Sequence, residues 1–364
     1  MESRREVLIV GGGVIGLTTA YYLARAGVRV AVLDKGDFGR EASWAGAGII
    51  NPGNLERATS PMSRLLGLST SLWPALTQEL LERTGIDNGF RACGGIELVS
   101  GIDQSLIQSW RAEGIRHEPI AAEDMQRIER VFTNIPEGGF YLPDMGQVRN
   151  PWHVRALIKS CPMLDVELIP NQAVHEFRRV GSRIAAAITD RGEFSADRFL
   201  IAAGAWSDKV LHLLGIAAGI FPVRGQIVLF NPGRLVFKTI LSRGKSYLVP
   251  RTDGRVLAGA TEEDVGFEKA NTPEAVATLT KFARELVPAL VDAPVETTWS
   301  GLRPGSRDEL PFLGAVDGFE NLYLAAGHFR SGLMLSPGTG LAMSQVLQGQ
   351  KTAIPLDEFS LNRR

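Results

Sequence analysis

Cysteine is nearly missing: Cys93 and Cys161 are the only two in 364 residues. They lie far apart and outside any C-x-x-C pair, which argues against a disulfide framework and a thiolate zinc site. Both read as small buried apolar side chains. The five histidines form no H-x-x-x-H or His–carboxylate grouping, so no metal is expected. Neither sign of charge dominates. With 39 Lys and Arg against 40 Asp and Glu the formal net charge is -1. The arginines are scattered, so no nucleic-acid partner is expected. No apolar run reaches the ~18 residues of a membrane span. Met1 to Val10 carries charge with no apolar core behind it, unlike a secretory signal. A cytoplasmic protein without a membrane span is the expectation. Repeats, low-complexity tracts and an obvious linker are also lacking, although the length allows two domains of ordinary size.

Glycine, by contrast, is abundant, and it is placed where a nucleotide would need it. The apolar run Val7 to Val10 reads as a buried strand and is followed by Gly11-Gly12-Gly13-Val14-Ile15-Gly16. Leu17 to Ala26 reads as a helix, Val28 to Leu33 as a second strand, and Asp34 closes it. Strand, glycine turn, helix, strand and terminal acid in this order form a dinucleotide-binding unit. Gly11 allows the tight turn, Gly13 lets the backbone approach phosphates, and Gly16 lets helix and strand pack closely. The helix N-terminus offers unpaired N–H groups to the anion. Asp34 accepts from ribose hydroxyls and would repel a 2′-phosphate, which argues against NADP.

The rest of the chain alternates in character. A small-residue loop, Gly36 to Gly48, follows, as where backbone passes close to a bound group. A leucine-rich helix runs from Ser60-Pro61 to Gly85, a strand from Gly94 to Val99, and a helix opens at Asn150-Pro151. Short strands follow at Val166 to Ile169 and Ala173 to Phe177. Phe199 to Ser207 then reads as a buried strand entering a glycine turn and a helix. Strands predominate from Phe221 to Ala260, and Thr272-Pro273 starts a helix. A last strand, Asn321 to Ala326, leads into Gly327-His328-Phe329-Arg330-Ser331-Gly332 and a helix after Ser336-Pro337. Nucleotide-type segments thus sit at the start, middle and end of the chain. The expected fold class is α/β: a discontinuous Rossmann-like domain of residues 1–50, 166–207 and 297–364. It is interleaved with a mainly antiparallel-sheet, α+β substrate domain of residues 51–165 and 208–296. Such interleaving favours FAD over NAD, because a large flavin recruits distant segments.

The motifs that carry a family resemblance are the N-terminal fingerprint with Tyr21-Tyr22-Leu23, the loop Gly39 to Gly48, and Ala203-Gly204-Ala205-Trp206-Ser207. Pro222 to Gln226, Tyr247 to Arg251, Trp299 to Ser306 and Gly327 to Gly332 complete the set. In this order, spanning nearly the whole chain, they resemble the D-amino acid oxidase superfamily of FAD enzymes. Within it the similarity is greatest to the glycine oxidases associated with thiamine biosynthesis. The resemblance implies FAD against Val14, Ile15, Asp34, Lys35, Ala42, Ser43 and Ala47-Gly48-Ile49, besides Gly11, Gly13, Gly16, Gly204 and Trp206. Val174 would meet the adenine through its backbone. His328, Phe329, Arg330, Ser331, Gly332, Leu333 and Met334 would line the flavin ring. It implies a carboxylate grip by Arg303 and Arg330, helped by the Tyr247 hydroxyl. FAD should be non-covalent, since neither cysteine lies in the C-terminal flavin segment. A homotetramer is the family expectation. Two departures concern the substrate: Glu262 stands where some members place a methionine, and a tyrosine that some carry just upstream of Tyr247 has no counterpart in Leu241-Ser242-Arg243-Gly244.

The implied chemistry is oxidation of glycine, sarcosine or a small D-amino acid to an imine, then to a 2-oxo acid, with O2 reduced to H2O2. A planar guanidinium such as that of Arg303 grips a carboxylate through two parallel hydrogen bonds, which Lys cannot do. His328 is expected to be structural or a cofactor partner, Glu262 to face solvent, and no protein base is required. The rivals are a same-fold dehydrogenase using a quinone or protein acceptor, a non-catalytic FAD-binding protein, and an NAD dehydrogenase.

Overall fold

The computed structural model describes residues 5–133 and 135–363. Its first sheet has six strands, in the order Phe312–Ala315, Leu322–Ala326, Arg198–Ile201, Val7–Val10, Val30–Leu33 and Glu167–Ile169. All pairs are parallel except the outermost, Phe312–Ala315 against Leu322–Ala326. Val7 pairs with Val30 on one side and Arg198 on the other, so the N-terminal strand sits at the centre. Its unbroken apolar run follows from burial on both faces. Val7 and Ile9 join the core beneath the helices Val14–Arg25, Pro61–Thr84 and Gly332–Leu347. Leu8 and Val10 point the other way, to Phe177, Ile184 and Leu211.

The second sheet has eight strands: Val295–Gly305, Phe221–Phe230, Val256–Gly259, Ser246–Pro250, Ile240–Arg243, Gly95–Leu98, Gly139–Leu142 and Glu118–Ile120. Ile240–Arg243 and Gly95–Leu98 run parallel; the other neighbours are antiparallel. Alternation again divides its faces. Ile96, Leu241, Leu248 and Val228 pack beneath Leu279, Ala283 and Leu286 of the helix Pro273–Leu286. Ile227, Ile240, Val249 and Leu257 belong to the opposite face, with Tyr247 against them. This face meets the cavity described below.

Three local expectations need correction. The last helix does not begin after Ser336-Pro337 but at Gly332, and Pro337 lies inside it. The proline is accommodated because the Ser336 hydroxyl donates to the Leu333 carbonyl it leaves unpaired (2.8 Å), while Ser69 of the neighbouring helix accepts from the Gly338 N–H (3.1 Å). The earlier start aims the helix's unpaired N–H groups at the cavity, which Gly332, Leu333 and Met334 line. The Gly36 to Gly48 segment is not loop throughout: Ala42–Ala45 form one helical turn. The strand expected at Ala173 to Phe177 is instead Glu176–Val180, leaving 172–174 irregular, with Gln172 N–H donating to the Asp34 carbonyl (2.7 Å). Among the described residues, no helix is long and apolar enough to cross a membrane.

Candidate active site

The glycine turn is closed by contacts that a side chain would destroy. Gly11 adopts φ 117°, and a Cβ there would run into the Ala202 carbonyl. Asp34 ties the turn down: its carboxylate accepts from Gly12 N–H (2.7 Å) and Gly36 N–H (2.9 Å). Burial pushes the Asp34 carboxyl up, and these hydrogen bonds oppose that shift. Ser43 Oγ accepts from the Val14 N–H at the helix start (2.8 Å). Lys35 Nζ lies 3.2 Å from the centre of the Trp206 ring.

These groups open onto a cavity of about 610 Å³ between the two sheets. Gly11, Gly13, Val14, Ile15, Asp34, Lys35, Ala42, Ser43, Ala47, Gly48, Ile49, Val174, Gly204 and Trp206 all line it, together with Tyr247, Arg303 and the run His328 to Met334. The structure thus brings together every cofactor and carboxylate-grip residue implied by the resemblance except Gly16; Glu262 also lies outside the lining. Gly16 lies behind the wall, where a Cβ would collide with the Gly11 carbonyl, as close helix–strand packing requires.

The donors and acceptors along the cavity match FAD. At one end lie the glycine turn and the N-terminus of Val14–Arg25, suited to a pyrophosphate. Further along, Asn150 gives its Nδ2 to the Ser43 carbonyl (3.1 Å), while its buried Oδ1 has no partner in the protein. An orphaned acceptor on a cavity wall calls for a donor from a ligand. The Ala47 carbonyl is held from behind by Arg251, 6 % exposed, which donates to it (2.7 Å) and to Gln147 Oε1 (3.0 Å). Trp299 Nε1 donates to the Ala45 carbonyl (2.9 Å) and so joins the eight-stranded sheet to the same loop. Cys93 and Cys161 are not among the lining residues.

Cations gather elsewhere on the lining. Arg303 lies on Val295–Gly305, where Gly225 of the adjacent strand leaves the space that the guanidinium occupies. Its Nη1 donates to the Thr261 carbonyl (3.0 Å). The Tyr247 ring fits because Gly259 has no Cβ, which would stand 2.7 Å from it. Burial pushes the Tyr247 hydroxyl up, and the Arg303 guanidinium beside it pulls the other way. Arg330 is exposed and ion-paired with Glu262, which Lys245 Nζ also meets at 2.9 Å. Glu262 is exposed, as expected from its place after a strand, and it is also held between two cations. His328 is 1 % exposed, shares a 3.1 Å hydrogen bond with Thr339 Oγ1, and is pushed down to about 3 by burial. It stays neutral at ordinary pH.

Glu97, Ser242 and Asn150 line the same cavity and were missed. Glu97 alternates with Ile96 and Leu98, which reads as an ordinary polar face. Asn150 reads as a helix opener. Burial raises the Glu97 carboxyl from 4.5 to about 7, against a hydrogen bond with Ser242. The unfolded chain gives up this proton near 4.5 and the folded protein keeps it to about 7. The contribution is thus full below the lower value and lost as pH rises through the upper one. Relative to Glu97→Gln, the wild type should lose up to about 3 kcal/mol between these limits. Urea midpoints of both proteins at pH 4.5 and 7.5 check this; a constant difference would refute it.

Comparison with known proteins agrees with the geometry. A family model described as DAO, FAD dependent oxidoreductase, matches residues 6–346. A glycine oxidase of Pseudomonas aeruginosa is 37% identical over 357 residues, 96% of either chain. The bifunctional protein ThiO/ThiG of Synechocystis is 34% identical over 375 residues, which span 100% of this chain and 54% of that protein. The crystal structure of glycine oxidase from Geobacillus kaustophilus superposes with a TM-score of 0.93 at 33% identity, covering 99% of each chain.

Proposed function

The chain belongs to the DAO family of FAD-dependent oxidoreductases, and on that footing we propose that it oxidises glycine, sarcosine or a small D-amino acid. The amine becomes an imine, which water hydrolyses to the 2-oxo acid, glyoxylate from glycine, with release of ammonia or an amine. One observation carries this assignment: two guanidiniums and a tyrosine hydroxyl converge on the same cavity that the glycine turn lines. FAD, held by the residues that line this cavity, would supply the two-electron acceptor, with dioxygen as terminal oxidant and hydrogen peroxide as product.

The protein's own contribution is positioning. Arg303, held by the Thr261 carbonyl, keeps its outer N–H groups for a carboxylate. The Tyr247 hydroxyl adds a directional donor, and Arg330 adds positive charge that also favours an anionic product state. Gly332, Leu333 and Met334 present a helix start to the ring system, and Gly11, Gly13 and Asp34 hold the nucleotide half. No side chain is assigned as base for the amine proton. His328 is bonded to Thr339, and Glu262 is engaged by Arg330 and Lys245. The resemblance to the ThiO/ThiG protein favours a role in forming the thiazole of thiamine.

The test is an amine panel added to the yellow protein without oxygen. Glycine, sarcosine or a small D-amino acid should bleach the flavin, and air should then restore it with one peroxide per turnover. No bleaching by any amine would sink the proposal; bleaching without peroxide would point to a dehydrogenase. Because Glu262 occupies Arg330 as a substrate carboxylate would, Glu262→Gln should tighten acetate binding about three- to tenfold. Acetate titration of the flavin spectrum reads this, and unchanged affinity would show that Glu262 does not compete.

A further inference from the structure

Three neighbouring strands place Glu97, Ser242 and Tyr247 in one row. Ser242 pairs with Tyr247 on one side and with Glu97 on the other. Residues opposite each other in a sheet share a face, and all three line the cavity. With strands ~4.8 Å apart, the Cα atoms of Glu97 and Tyr247 are about 10 Å apart. Between them stands only the short side chain of Ser242, which leaves a recess. Beyond Glu97 the row continues to Phe140, packed against Trp110 and His117. These rings lie outside the cavity lining, so Glu97 is the last residue of the row to reach it.

Charge divides along the same row. Arg303 adjoins Tyr247, and Arg330 and Lys245 meet Glu262. Glu97 is held only by the Ser242 hydroxyl among the described residues. A carboxyl group withdrawn from water without a cation is stabilised by any ligand that brings one. A substrate whose carboxylate is gripped at Arg303 and Tyr247 directs its remaining substituent along the row.

We propose that Glu97 and Ser242 form a subsite for the substituent that the amine substrate carries besides its carboxylate. The subsite selects substituents that end in a cation or a hydrogen-bond donor. This rests on the amine-oxidising function proposed above and narrows it: the substrate class extends from glycine to D-amino acids with a short basic side chain. Ser242 supplies the room and one polar contact, and Glu97 the opposite charge.

D-Ornithine and D-norleucine have side chains of equal length and differ in a terminal ammonium against a methyl group. With the FAD-loaded enzyme, kcat/KM from anaerobic flavin reduction should favour D-ornithine by about tenfold or more. Glu97→Gln should bring that ratio down about tenfold. Ser242→Leu, which fills the recess, should depress both substrates relative to glycine. A binding readout runs in parallel: 5-aminopentanoate should perturb the flavin spectrum at lower concentration than hexanoate, and Glu97→Gln should erase the difference. A merely structural Glu97 would lower both substrates alike, and an unchanged ratio overturns the subsite. So does a wild-type preference for D-norleucine. Should Glu97→Gln fail to fold, an undiminished response of Ser242→Leu to D-ornithine has the same force. If no amine, glycine included, reduces the flavin, the oxidase function fails instead, and the two carboxylate ligands alone decide the subsite.

Discussion

Arg303→Ala should lower kcat/KM for glycine by about three orders of magnitude while the protein keeps its flavin. A bidentate, charge-assisted pair inside a water-poor cavity contributes several kcal/mol, and each 1.4 kcal/mol is about tenfold in rate. The loss should exceed that of an exposed ion pair for two reasons. Gly225 and the Thr261 carbonyl fix the guanidinium in advance, so little ordering remains for the substrate to drive. Removing it also leaves the substrate carboxylate facing a desolvated Tyr247 hydroxyl with half its partners gone. Arg303→Lys should recover no more than about a tenth of the loss, because an ammonium cannot present two parallel donors. Rapid-mixing flavin reduction under nitrogen measures both variants. A loss below about tenfold in Arg303→Ala would place the carboxylate grip elsewhere, with Arg330 as the next residue to test.

Gly11→Ala should abolish FAD binding and destabilise the protein by more than about 4 kcal/mol, a size tied to backbone strain and collision together. At φ 117° an L-residue is strained, and the new Cβ would meet the Ala202 carbonyl, just past the neighbouring strand Arg198–Ile201. Backbone on both sides leaves nothing flexible to yield. Gly27 is the control: it also has positive φ, 81°, but a Cβ there meets nothing within 4 Å. Gly27→Ala should cost about 1 kcal/mol and leave flavin content intact. Thermal melting and the ratio of flavin to protein absorption separate the two. Equal behaviour of both variants would show that the collision at Gly11 is relieved.

Residues 7–34 were legible because their geometry is local: a strand, a turn that demands glycine and a helix are encoded within a few neighbours. Arg303 and Tyr247 were reached only through the family motifs, since each is placed by a glycine on another strand, Gly225 or Gly259, that sequence spacing does not link to it. Pro337 misled because a proline ordinarily marks a helix start, and the Ser69 hydroxyl that accepts from the Gly338 N–H lies in a different helix. Glu97 was missed because alternation along a strand says that a side chain leaves the sheet's apolar core, but it cannot say whether the other face meets water or a cavity.

The order of strands in the parallel sheet also sets when the cofactor can be taken up. Val7–Val10 is synthesised first, yet it pairs with Arg198–Ile201, which in turn pairs with Leu322–Ala326. The wall made by His328 to Met334 comes last. While the chain is still growing on the ribosome, its N-terminal fingerprint therefore has a turn for phosphates but no enclosure for a ring. A protein cut short before His328 should lack this wall and so retain no FAD, which the absorption of the purified fragment would show.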